Sequence, residues 1–356
     1  MAAYTTIDNP ELYFQVLAYT GNGTSGRSIT LDGSENMQPD LISIKNRGQT
    51  DNWHNWDSVR GVNKAIQWST SNAENSSPSS GYVSAFNTDG FTATTGSGSD
   101  DNLNKNTETY VAYCWKAGGS ASSNSDGAQS TSVSASTTSG FSIVSYTGTG
   151  TTTNFGHGLG AKPNVILIKS LASNDWVMNG DFLGSTTWQH KLILNTNGTK
   201  ATANNFNDQA PTSSVWYLNS IHGTTNASSQ AFIAYCFAEK QGFSKFGSYT
   251  GNGNADGTFV FTGMRPAFIL LKNTTTSSRD WMVYDNKRQG YNGANNYLVA
   301  NTSGSDQTGI EIDILSNGFK ARSSATGLNA SGATMIYMAF GEQPFVNSNG
   351  VPCNAR

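Results

Sequence analysis

The chain is poor in charge. Asp, Glu, Lys and Arg make up 13 % of its 356 residues, about half the usual share. Long surface helices need Glu, Lys and Arg, so this scarcity argues against a helical architecture. Lys and Arg nowhere cluster and the formal net charge is −3, so the electrostatic footprint of a nucleic-acid binder is missing. Apolar runs are short as well. Val165–Ile168 and Ala267–Leu271 fall far below the roughly 20 residues that a membrane helix requires, and no membrane insertion is expected. Met1–Gln15 shows neither the basic start nor the apolar stretch of a secretory signal.

Cysteine is scarce, with three residues in all, and no CxxC spacing suggests a metal. We expect buried, reduced thiols in a chain assembled in the cytoplasm. The four histidines lack a second histidine at metal-ligand spacing, and no nucleophile elbow or phosphate loop is present. The expectation is a protein that is not an enzyme and has no cofactor or metal.

What the sequence does contain is repetition. Tyr19-Thr20-Gly21-Asn22-Gly23 returns as Tyr146-Thr147-Gly148-Thr149-Gly150 and as Tyr249-Thr250-Gly251-Asn252-Gly253. Each copy continues with a proline and an apolar segment ending in lysine: Pro39 to Lys45, Pro163 to Lys169, Pro266 to Lys272. A tryptophan follows, and Trp56, Trp176 and Trp281 are taken as its three copies. Each unit closes on an aromatic strand: Tyr110–Trp115, Phe232–Phe237 and Met335–Phe340. Side chains alternate across a strand, so these segments are apolar on both faces and belong inside a packed sheet. Cys114, Cys236 and Ala339 share one slot, which marks the thiols as packing groups. Asp-Gly and Asn-Gly pairs supply the turns.

A unit of about a hundred residues is large enough for one two-sheet core. We therefore expect an all-β chain of three tandem β-sandwich repeats, of the jelly-roll or concanavalin/SPRY-like kind by fold analogy. The expected boundaries are an N-terminal docking segment at 1–15, repeats at 16–117, 141–240 and 241–344, a Ser/Thr/Gly-rich linker or extended surface arm at 118–140, and a C-terminal tail at 345–356. Asn9 and Pro10 fit the start of a short helical turn through Gln15.

Two constellations invite a functional reading. Asp57 with Arg60 resembles Asp285 with Arg288, and we read both as structural ion pairs bracing turns. Trp53, His54 and Asn55 have no counterpart under the alignment on Trp56. They are the weak candidates for a ligand surface, since aromatic faces beside amides suit sugar binding. Trp68, Trp188 and Trp216 also fall outside the shared pattern.

The phrasing of the repeats, from GFSIVSYTGTG to YCFAEKQGFSKFGSYTGNG and AFGEQPF, resembles a domain-of-unknown-function family of marine bacteriophage (cyanophage-like) tail-fibre and other virion structural proteins. The resemblance runs from about Tyr4 to Arg356. It implies a phage virion structural protein assembled in the host cytoplasm, as a tail fibre or spike component contacting the host surface. The implied partners are other virion proteins, further copies of the chain in a homo-oligomer such as a trimer, and a host surface glycan. A head decoration, head fibre or tail adaptor protein is the alternative, and a lectin-like adhesin is another.

Overall fold

The structure is a computed structural model and describes residues 4–98, 102–220, 222–288, 292 and 295–354. Strands dominate, as the turn-punctuated sequence requires. The first module holds β1 (Phe14–Thr20), β2 (Arg27–Ile29), β3 (Leu41–Asn46), β4 (His54–Asp57), β5 (Lys64–Gln67), β6 (Asn75–Ser76), β7 (Tyr82–Phe86), β8 (Phe91–Thr94) and β9 (Thr109–Trp115). The second holds β10 (Ser122–Asn124), β11 (Thr131–Ser136), β12 (Phe141–Thr147), β13 (Thr153–Gly156), β14 (Val165–Ser170), β15 (Trp176–Gly180), β16 (His190–Ile193), β17 (Ala201–Thr202), β18 (Val215–Leu218) and β19 (Ala231–Phe237). The third holds β20 (Ser244–Thr250), β21 (Phe259–Phe261), β22 (Met264–Asn273), β23 (Trp281–Asp285), β24 (Leu298–Val299), β25 (Ile312–Leu315), β26 (Gly318–Ala321) and β27 (Thr334–Pro344). Helix is limited to single turns, α1 (Gly223–Asn226) and α2 (Thr326–Asn329) among them.

Each module pairs a large antiparallel sheet with a small one. The large sheets run β1-β9-β3-β4-β5-β6, β10-β11-β12-β19-β14-β15-β16-β17 and β20-β27-β22-β23-β24. Their small partners are β2-β8-β7, β13-β18 and β21-β26-β25. The aromatic closing strand sits in the interior of each large sheet, beside the Pro-to-Lys strand. This is the position that its two apolar faces demand.

The alternation of that strand divides the core. Ala112 and Cys114, Ala234 and Cys236, and Ala339 point into the private core of their own sandwich. The opposite face, Val111-Tyr113-Trp115, Ile233-Tyr235-Phe237 and Ile336-Met338-Phe340, enters one continuous central core shared by all three modules. Trp115, Phe268 and Phe340 pack edge-on or tilted there, with centroids 5.7 to 6.1 Å apart. Phe14 stacks on Phe340 at 5.3 Å, and Phe237 meets Phe340 at 5.7 Å. A cavity of only about 30 Å³ remains among Trp68, Leu194, Tyr235, Phe237 and Met338. The large sheets thus form three walls around one apolar axis, with the small sheets outside.

Two expected segments behave differently from the sequence reading. Residues 118–140 are not a linker. Ser122–Asn124 and Thr131–Ser136 form β10 and β11, which extend the second large sheet. Val133 enters that module's core at 5 % exposure. Short side chains alternating with Val133 and Ala135 satisfy a strand without the long apolar run that would have announced one. Nor is the N-terminal stretch a free docking peptide in its described part. Ile7 is buried in the central core, the Thr5 hydroxyl donates to Gln241 O at 2.7 Å and the Tyr4 hydroxyl to Gly263 O at 2.9 Å. Asn9 does cap a turn, but the 3-10 turn covers only Pro10–Leu12 and ends before Gln15. The tail beyond Pro344 turns back on itself, pairing Val346 with Pro352.

Candidate functional site

The repeat signature explains itself in atoms. A Cβ on Gly21, Gly148 or Gly251 would stand 2.1 to 2.2 Å from the carbonyl oxygen of Lys105, Ala227 or Ala330. Only glycine fits there. Two residues on, Gly23, Gly150 and Gly253 adopt φ near +70°. The crossing chain supplies an asparagine in each module. Asn104, Asn226 and Asn329 accept through Oδ1 from the backbone N–H of Asn22, Thr149 and Asn252. The tyrosine hydroxyl donates to the carbonyl just upstream of that asparagine, at Leu103, Thr225 and Leu328. The asparagine was missed in the sequence, although Leu103-Asn104 and Leu328-Asn329 precede their closing strands alike.

Strand register corrects the tryptophan alignment. Lys169 lies opposite Trp176 and Lys272 opposite Trp281. In the first module Ile44 lies opposite His54, so Trp53, and not Trp56, faces Lys45. Trp56 occupies the position of Asn179 and Tyr284 and packs in its own sandwich. An acid or amide precedes each true counterpart: Asn52-Trp53, Asp175-Trp176, Asp280-Trp281. That dipeptide was the signal to follow.

The three indoles close a cycle between modules. Trp53 Nε1 donates to Val299 O of the third module at 2.8 Å, Trp281 Nε1 to Ile193 O of the second at 3.1 Å, and Trp176 Nε1 to Gln67 O of the first at 2.7 Å. All three rings are buried. Trp53 and Asn55 are therefore core residues, fully enclosed, and cannot form the ligand surface expected of them. Trp68, Trp188 and Trp216 are buried too. His54 stacks on Trp56 and sits 2.9 Å from Gln67 Nε2. Burial pushes its pKa down to about 4. Of the expected trio it alone borders open space, a cavity of about 170 Å³ shared with Gln67, Asn72 and Pro78.

The cycle repeats in the backbone and in charge. Glu74 N–H donates to Leu171 O, Lys200 N–H to Thr274 O, and Asp306 N–H to Arg47 O, each across a module boundary. Three lysines end the Pro-to-Lys strands inside carbonyl cages. Lys45 Nζ donates to Asn46 O and Gln49 O, Lys169 to Ser170 O and Ala172 O, Lys272 to Asn273 O and Arg279 O. Burial pulls each ammonium pKa down to about 8.

The expected ion pairs are present and deeply buried. Arg60 Nε lies 2.6 Å from Asp57 Oδ2, and Arg288 Nε 2.5 Å from Asp285 Oδ2. Each carboxylate also accepts from a tyrosine of another module, Tyr235 on Asp57 and Tyr113 on Asp285. The second module breaks the pattern with Gly180 and Leu183, and the turn that carries Leu183 packs against the strand of Met338. At this third interface apolar groups replace the tyrosine, acid and arginine.

These anchors hold loops at one end of the shared axis. The hairpin loops 47–52, 171–175 and 274–280 alternate with 69–74, 195–200 and 301–306 from the neighbouring modules, and all are rich in Ser, Thr, Asn and Gly. Beside them lie the His54 cavity and one of about 180 Å³ lined by Arg279, Asp280, Tyr297 and Gln307. Such surfaces offer Ser, Thr and Asn hydrogen-bonding groups, with scattered charges of both signs such as Asp175, Lys200 and Arg279, on a rigid base. Among the described residues no group of three or more His, Cys, Asp or Glu side chains is arranged to hold a metal ion.

No curated protein matches the chain, and no solved structure does. One family model matches it over residues 9–344, almost from end to end and across all three modules. By that match the chain belongs to DUF7483, a family described as a domain of unknown function.

Proposed function

We propose that this chain is a phage virion structural protein, a tail-fibre or spike component that contacts the host surface. The observation that carries the reading is the closure of three sandwiches around one axis, with six loops rich in Ser, Thr, Asn and Gly gathered at one end. A homotrimeric fibre obtains a threefold body from three chains; here one chain supplies it. The body is rigid by construction, because the tryptophan cycle ties each module to its neighbours and the buried ion pairs reinforce two of the three interfaces. Loops held on a rigid scaffold are where contacts are made. Their Ser, Thr and Asn side chains suit a host surface glycan, and other virion proteins are the partners at the opposite end.

Competition tests this reading. Purified protein should reduce adsorption of the encoding phage to its host, and antibody-labelled electron microscopy should place the chain at the tail. Label confined to the capsid, with no competition, would overturn it in favour of a head component.

A further inference from the structure

The second and third modules differ along one flank, and the difference exposes an unused strand edge. In the second module the segment from Gly127 to Ser136 closes that flank. Gln129 pairs in parallel with Phe155 of β13, Ala128 N–H donates to Asn154 Oδ1, and the Thr131 hydroxyl donates to Gly156 O. The segment then continues as β11 along β12. It therefore covers the edges of both the small and the large sheet.

In the third module no described segment pairs along these edges, although the Tyr4 hydroxyl on Gly263 O and the Phe345 ring beside Phe261 approach that flank. The corresponding strand β21 is the edge of its small sheet, and β20 is the edge of its large sheet. Only residues 238–243 connect β19 to β20, too short a piece to supply an arm. Phe259 and Phe261 stand 45 % and 54 % exposed on β21, while Val260 between them points into the core. They are two of the few large apolar side chains exposed on the described surface. Edge strands are normally guarded by charge, proline or cover. The equivalent β2 of the first module carries Arg27 and Ser28; β21 carries no such guard. Next to it lies a groove of about 400 Å³ between Tyr4, Glu239, Lys245 and Phe261. On its far wall Glu239 accepts from the Phe246 N–H of β20 at 2.8 Å and shields that edge, which leaves β21 as the open one.

We infer that β21 is a strand-addition site. Its occupant is an extended, uncharged segment of another polypeptide, rich in small side chains, as Gly127, Ala128 and Ser130 are in the stretch of the arm that lies beside β13 in the second module. Backbone pairing to β21 would supply affinity, and the groove beside Phe261 would select side chains. The inference does not depend on where in a particle the chain resides.

The test uses a labelled, end-capped peptide with the sequence of residues 127–136 and the full chain, whose own arm already fills the second module. Saturable binding is expected, with slowed hydrogen exchange at the amides of Phe259–Phe261. The double variant Phe259→Lys with Phe261→Lys should fold normally, because both side chains are exposed, and should weaken binding at least tenfold. No binding at millimolar peptide overturns the inference. So does binding unaffected by the double variant, or protection that appears elsewhere. Dimerisation of the chain alone, abolished by the double variant, would identify a second copy as the occupant and overturn the proposed one.

Discussion

At the scale of single residues, the ion pairs show how one architecture reaches the same end by two chemistries. Asp57, Arg60 and Tyr235 occupy at one interface the places that Gly180, Leu183 and Met338 take at another. Removing one member of a buried pair strands a charge, so Asp57→Ala should cost about 3–5 kcal/mol in urea unfolding. Replacing the whole group is different. The triple variant Asp57→Gly, Arg60→Leu, Tyr235→Met copies the solution of the second module and should recover most of that loss. A triple variant as unstable as the single one would show that the two interfaces are not interchangeable.

The caged lysines give a pH dependence whose sign follows from the lowered pKa. In the unfolded chain each lysine holds its proton up to about pH 10.4; in the fold it gives the proton up near pH 8. Between these values the unfolded state binds more protons, so stability rises with pH. Above about pH 9 the trend is opposed, because burial raises the thiol pKa of Cys114 and Cys236 and keeps them protonated only in the fold. The urea midpoint should therefore increase from pH 7.5 to pH 9. A flat or falling midpoint would mean that the surrounding carbonyls hold the ammonium charged. None of this was legible in the sequence, where the lysine marks only the end of an apolar strand.

At the scale of elements, the Tyr-Thr-Gly turn, the Pro-to-Lys strand and the closing strand were readable because each is constrained locally. The turn needs glycine where a carbonyl approaches, and the strand needs apolar groups on both faces. Gly251→Ala should cost about 1–3 kcal/mol, the range for forcing an atom into packed space. Asn329→Ala strands the Asn252 N–H and should cost about 1–3 kcal/mol as well. Thermal unfolding of both variants checks this, and an unchanged midpoint for Asn329→Ala would remove the asparagine from the repeat signature. The arm at 118–140 was not readable. Its strands are short and their side chains small, so composition alone looks the same as that of a surface linker. Trp53 was misplaced for a related reason: two tryptophans lie three residues apart, and only register, a property of the partner strand, separates them.

At the scale of the whole molecule, the three repeats are visible in the sequence, but their mutual dependence is not. The face formed by Val111, Tyr113 and Trp115 looks the same in sequence whether it meets a second sheet of its own module or two foreign ones. The structure assigns it to the shared core, together with the equivalent faces of the other modules. A single module cut from the chain would expose that whole face to water, along with one unpaired indole and the carbonyl that had accepted a neighbour's. Its private sandwich core would remain, but exposed apolar patches of that size drive association. The intact chain should therefore unfold in one cooperative transition, with amides of β9, β19 and β27 exchanging at a common free energy. Residues 118–240 alone should aggregate or melt far below the full chain. Three separate transitions, or a soluble single module as stable as the whole, would show that the modules are independent beads and that the tryptophan cycle contributes nothing to holding them together.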